Sequence, residues 1–174
     1  MTASPDTIAA LLASPTDAAS HLALAEQHLQ TGCAPAARQQ FARARALGAD
    51  RRSCELGIGI ADLLDLNANN AVTHLQPLVD AGVTDAVAYL AAAVAFKGEQ
   101  DRAAQLAQAI RVPPEPSACF WFAGALLTAC RQEPAKAQAN CAKALQCNGK
   151  FTPALLLSAQ CHQNNSQLDQ AKTV

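Results

Sequence analysis

Ala37-Arg38-Gln39-Gln40-Phe41-Ala42-Arg43-Ala44 is the stretch that decides the fold. Its small Ala37, large Phe41 and small Ala44 fall four and then three residues apart, which places them on one face of an α-helix. Thirty-four residues later the same spacing returns as Ala71, Leu75 and Leu78, then as Ala103, Ala107 and Ile110, and again as Ala137, Cys141 and Ala144. Ala171 begins a fifth copy. Upstream partners keep the same register, because Leu24-Ala25, Ile58-Gly59 and Ala92-Ala93 succeed one another at 34-residue intervals. Tyr89 and Trp121 supply the large residue that opens the first stretch of their copies. Two helix-period stretches inside each repeat of this length describe helical hairpins that must stack, since neither helix can bury its apolar stripe alone.

Composition agrees. The chain has 174 residues, of which 51% are apolar, 16% charged and 4% aromatic, and alanine supplies about 40. That is one domain with ample material for a core, and the alanine content favours helix throughout. No stretch alternates with period two, so no strand is expected. The punctuation predicts about ten helices. Ser4-Pro5, Ser14-Pro15, Glu133-Pro134 and Thr152-Pro153 are helix starts, and Gly32, Gly48, Gly82 and Gly98 are stops. Pro113-Pro114-Glu115-Pro116 reads as an extended linker, and Pro77 is expected to kink or distort its helix. The expected organisation is an N-terminal segment (1–16) with a short helix, then repeats at 18–51, 52–85, 86–117 and 118–151 and a partial one at 152–174.

This pattern resembles the tetratricopeptide repeat. That family places a bulky and a small residue in the first helix of each hairpin and an alanine, an aromatic and an alanine in the second. The first copy matches at Leu24, Ala25, Gly32, Ala37, Phe41 and Ala44; the second at Ile58, Gly59 and Ala71 and more loosely at Leu75 and Leu78; the fourth at Trp121, Ala125, Ala137 and Ala144. The third copy is about two residues short. The resemblance implies an all-α, right-handed α-solenoid of antiparallel hairpins.

Little in the sequence points to catalysis or to bulk electrostatic binding. Thirteen basic and fourteen acidic residues give a net charge of −1, which weighs against nucleic acid or an anionic membrane as partner, and no apolar run is long enough to span a bilayer. Phosphate-loop, nucleophile-elbow and metalloprotease patterns are absent from the sequence. Asp62 and Asp65 read as a solvated helix face, and Gly57-Ile58-Gly59 as a close helix contact. Arg38, Arg43, Arg45, Arg51 and Arg52 read either as a nucleic-acid or acidic-partner patch, the former disfavoured because no aromatic residues interleave with them, or as a solvated face with long side chains shielding apolar neighbours. The seven cysteines contain no CxxC pair and the four histidines no HxxxH, so reduced thiols, a cytoplasmic location, no metal, no cofactor and no required disulfide are expected.

By the resemblance, the concave surface comes from the first helix of each repeat. It would present Leu22 and Glu26, then Leu56, Ile60 and Leu63, then Leu90 and Val94, then Phe122 and Leu126. The basic clamp with which some family members hold acidic chaperone tails is missing, because its positions carry Leu22, Glu26, Gly57, Val87 and Ala91. The expectation is therefore a non-enzymatic protein–protein interaction module, an adaptor, scaffold or chaperone-like protein whose groove takes an apolar or amphipathic peptide. Two alternatives stand beside it. The chain could be the N-terminal regulatory or oligomerisation domain of a longer enzyme such as an ATPase or transferase. Residues 5–13, or a second copy, could also cover the strip.

Overall fold

The computed structural model describes residues 17–172, with side chains to residue 163. Within them the chain is helical, without strands. The helices are α1 (Ala18–Gln30), α2 (Ala34–Ala46), α3 (Arg51–Leu64), α4 (Ala68–Asp80), α5 (Val87–Phe96), α6 (Gln100–Gln108), α7 (Ala118–Cys130), α8 (Pro134–Cys147) and α9 (Thr152–Lys172). The N-terminal helix expected around Pro5 to Ala13 lies outside the described residues.

Short polar side chains start several of these helices by accepting from otherwise unsatisfied amides. Asp17 takes the amides of Ala19 and Ser20, Asp50 that of Ser53, and Ser117 that of Phe120. Gly32, Gly48, Gly82 and Gly98 all have positive φ and sit where helices end. Pro77 does not end its helix: α4 runs on to Asp80, because a proline one turn from the terminus removes a single late hydrogen bond.

Consecutive helices joined by tight turns pair as α1–α2, α3–α4, α5–α6 and α7–α8. Neighbouring pairs join where α2 packs on α3, α4 on α5 and α8 on α9. The third junction is different. Helix α6 has only nine residues and leads into the linker at 109–117, so α5 itself packs directly against α7. The core is the inner layer of first helices: α5 is buried from Val87 to Ala95 and α7 at eight of its residues.

That inner layer closes on itself. Helix α1 touches α7 as well as α3, and α3 also touches α7. The Cys119 thiol donates to the Leu29 carbonyl at 3.4 Å, and the Asn148 side-chain amide donates to the Gln30 carbonyl. Pro153, in the first turn of α9, presses on the α1–α2 turn so closely that a Cβ on Gly32 would lie 2.5 Å from its Cδ. Phe151 fills the seam, fully buried, with its ring edge-on to Phe122 at a centroid distance of 6.0 Å.

Candidate functional site

The inner face does not form an open groove along its length. Leu63, Leu90, Val94, Phe122 and Leu126 are buried, as is Ile60; Leu22 and Leu56 are half-buried, and Glu26 alone is exposed. The expectation of a continuous exposed apolar strip is thus corrected. Alanine is the physical reason. Ala88, Ala91, Ala92, Ala93 and Ala95 on α5, with Ala118, Ala123 and Ala125 on α7, present so little side chain that the first helices converge and fill the space a peptide would need.

The strip reaches the surface at two ends. At one, Leu56 and Ile60 floor a cleft of about 250 Å³ with Ala88, Tyr89 and Phe120, roofed by Arg111, Pro113 and Glu115 of the linker. Burial pushes the Tyr89 phenol up against a partly offsetting hydrogen bond with Ser117, so it stays protonated.

At the other end Phe122 and Leu126 form the floor of a pocket of about 120 Å³ between the C-terminal ends of α3 and α5 and the start of α9. Its walls are Leu64, Leu66, Phe96, Pro153, Leu156, Leu157 and Gln160, and none of them is charged. Three of these walls stand out in solvent: Leu156 is 68% exposed, Leu66 47% and Phe96 43%. Sequence reasoning did not find those three. The signal for Leu66 was available, because it stands in the turn position that Gly32 and Gly98 hold in the α1–α2 and α5–α6 turns. It adopts φ 57° there, a left-handed conformation that disfavours leucine.

The outer face carries an ionic network that corrects two further expectations. Asp62 is buried, not solvated. Arg38 donates to it at 3.0 Å and to Asp65 at 2.6 Å. Arg45 donates to Glu55 at 2.5 Å, and His74 Nδ1 lies 2.7 Å from the other Glu55 oxygen with its Nε2 3.8 Å from Asp62. Arg38 and Arg45 are therefore tied between α2 and α3 and do not form a free basic patch; Arg43, Arg51 and Arg52 remain exposed. Burial pushes the Asp62 carboxyl up, and the charges of Arg38 and His74 do not fully offset it. Burial also pushes Glu55 up, but bonds from His74 and Arg45 outweigh it and hold that carboxyl below its ordinary value. Beside the network, a cleft of about 510 Å³ is lined by Asp50, Arg51, Arg52, Glu55, Thr73, His74, Pro77 and Leu78. Its histidine faces carboxylates at both ring nitrogens, an arrangement that locks α3 to α4.

All seven cysteines are free thiols. Burial pushes Cys119 up to about 12 and Cys141 up to about 11, and it also raises Cys54, Cys130 and Cys161. Among the described residues no group of histidine, cysteine and carboxylate side chains is placed to hold a metal ion, and no helix is long and apolar enough to cross a membrane. No protein-family model, curated protein or solved structure matches this chain.

Proposed function

We propose that this chain is a non-catalytic protein–protein interaction module of tetratricopeptide type, its hairpins stacked with a right-handed twist and its working place the cytoplasm. The 34-residue spacing of Ala37, Ala71 and their successors, with helix pairs falling on it, supports the repeat reading. The observation that carries the function is the charge-free apolar face of Leu66, Phe96 and Leu156 around the pocket floored by Phe122 and Leu126. Large apolar side chains held in water around a concavity are what a docking surface requires. The partner is an apolar or amphipathic peptide segment, bound at this end of the inner face and not along its whole length.

The experiment titrates the protein into a labelled synthetic amphipathic helix with leucines at helical spacing and reads fluorescence anisotropy. Saturable binding that Phe96→Glu weakens about tenfold or more, with unchanged circular dichroism and little response to salt, supports the reading. Equal binding by parent and variant, or none by either, ends it.

A further inference from the structure

We propose that the cleft under the 109–117 linker is a second docking site, for a peptide segment that carries a lysine or arginine beside a large apolar side chain. It lies at the opposite end of the inner face from the recess of Phe96 and Leu156, and it stands or falls independently of that recess.

The linker is what makes this cleft. Helix α2 passes to α3 through residues 47–50 and α8 to α9 through 148–151, but α6 reaches α7 only through the nonhelical stretch 109–117. Pro113, Pro114 and Pro116 have no backbone N–H and a fixed φ, and each holds the residue before it extended. The stretch cannot continue a helix and stands as a stiff wall. A wall already in place loses little freedom when a partner binds.

Size and lining set one half of the partner. Leu56, Ile60 and Phe120 floor a volume of about 250 Å³. An apolar cavity of about 150 Å³ holds a benzene molecule, so this one has room for a leucine side chain and the methylene stem of a neighbouring residue.

Charge sets the other half. Asp85, in the short helical turn before α5, and Glu115 of the linker are the carboxylates of the cleft, and Arg111 is its cation. Among the described residues none of these three forms an ion pair, whereas Asp62, Asp65, Glu99 and Glu133 each hold an arginine or lysine. Two unpaired carboxylates against one arginine leave an excess negative charge, which attracts a cation and repels an acidic segment. Lysine and arginine also suit the floor, because their stems lie along apolar surface while the charged head stays in water. All three rim charges are exposed, so each contributes modestly and less in salt.

The test titrates acetylated, amidated Leu-Lys-Leu into ¹⁵N-labelled protein, with Leu-Glu-Leu as the control, and follows amide chemical shifts. The lysine peptide is expected to shift amides of residues 84–89 and 111–120, to bind several-fold tighter than the glutamate peptide, and to weaken in high salt. Glu115→Gln and Asp85→Asn are each expected to weaken it about two- to fivefold, with unchanged circular dichroism. Arg111→Gln is expected to strengthen it by a similar factor, because it removes a like charge. Phe96→Glu, at the other end of the inner face, is expected to leave it unchanged. Equal affinity for the two peptides overturns the proposal, as does Arg111→Gln weakening the lysine peptide as Glu115→Gln does. Shifts confined to the surroundings of Phe96 and Leu156 overturn the second site and leave the recess standing. No shift with either peptide removes the linker cleft as a docking site, whatever the recess binds.

Discussion

Adding one methyl group at Gly57 tests the packing logic of the whole molecule. A Cβ built there would lie 2.3, 2.4 and 2.5 Å from three atoms of the Phe41 ring, well inside van der Waals contact. Phe41 is the large residue of the α2 repeat face and is buried, so its ring has nowhere to turn. Overpacking against a fixed aromatic costs about 3 kcal/mol, at the upper end of the usual range. Removing a glycine from a helix interior returns about 1 kcal/mol. Gly57→Ala is therefore expected to lose about 2 kcal/mol, a fall of roughly 4–8 °C in melting temperature for a domain of this size. Gly124→Ala is the control. Its Cβ would meet only the Asn140 side-chain amide, at 3.3 and 3.6 Å, and that amide can move aside. The propensity gain then stands nearly alone, and the variant is expected to gain up to about 1 kcal/mol. Urea and thermal unfolding followed by far-ultraviolet circular dichroism give both values. Combining Gly57→Ala with Phe41→Leu should recover part of the loss, because the smaller side chain leaves room for the methyl group. If Gly57→Ala matches or exceeds the parent, close α2–α3 packing is not what holds this glycine in place.

Three other outcomes are expected. Glu55 has a lowered carboxyl value, so its stabilisation is present above the ordinary glutamate range and is lost as the pH falls from there through the lower folded value. Melting temperature against pH should therefore fall in acid, less steeply for Glu55→Gln. Asp62, whose value is raised, gains relative stability on protonation, so Asp62→Asn should make the acid fall steeper. A brief alkylation of the native protein at neutral pH should modify the exposed Cys33 and Cys147, with Cys119 and Cys141 reacting only after denaturation; rapid labelling of Cys119 would contradict the closed inner layer. Leu90 lies at 0% exposure, so Leu90→Ala should cost about 2–5 kcal/mol and Leu90→Glu should unfold the chain. A Leu90→Glu protein that melts like the parent would mean that the inner face is open.

What could be read without coordinates were the features encoded by near neighbours in the chain. Helix starts at Glu133-Pro134 and Thr152-Pro153, stops at Gly82 and Gly98, and the faces of Ala37–Phe41–Ala44 and Ala71–Leu75–Leu78 follow from spacing and backbone preference, which act over one or two turns. Gly57 and Gly59 were legible as contact points for the same reason: a missing side chain in a helix leaves a hollow, here filled by Phe41 and Leu75. How the hairpins meet at long range was not legible. Whether Leu90 and Val94 line a groove or fill a core depends on how far α1 and α7 approach across some ninety residues of chain, as the Cys119–Leu29 contact records. That approach is the sum of small offsets at every junction, among them the short α6 and its linker. Arg38 looked free because its partners Asp62 and Asp65 are 24 and 27 residues away. The exposed recess at Leu66, Phe96 and Leu156 joins the ends of three helices from separate repeats. Local sequence determined each helix and the face it buries; tertiary closure decided which apolar side chains remain in water, because exposure is a property of the neighbours and not of the residue.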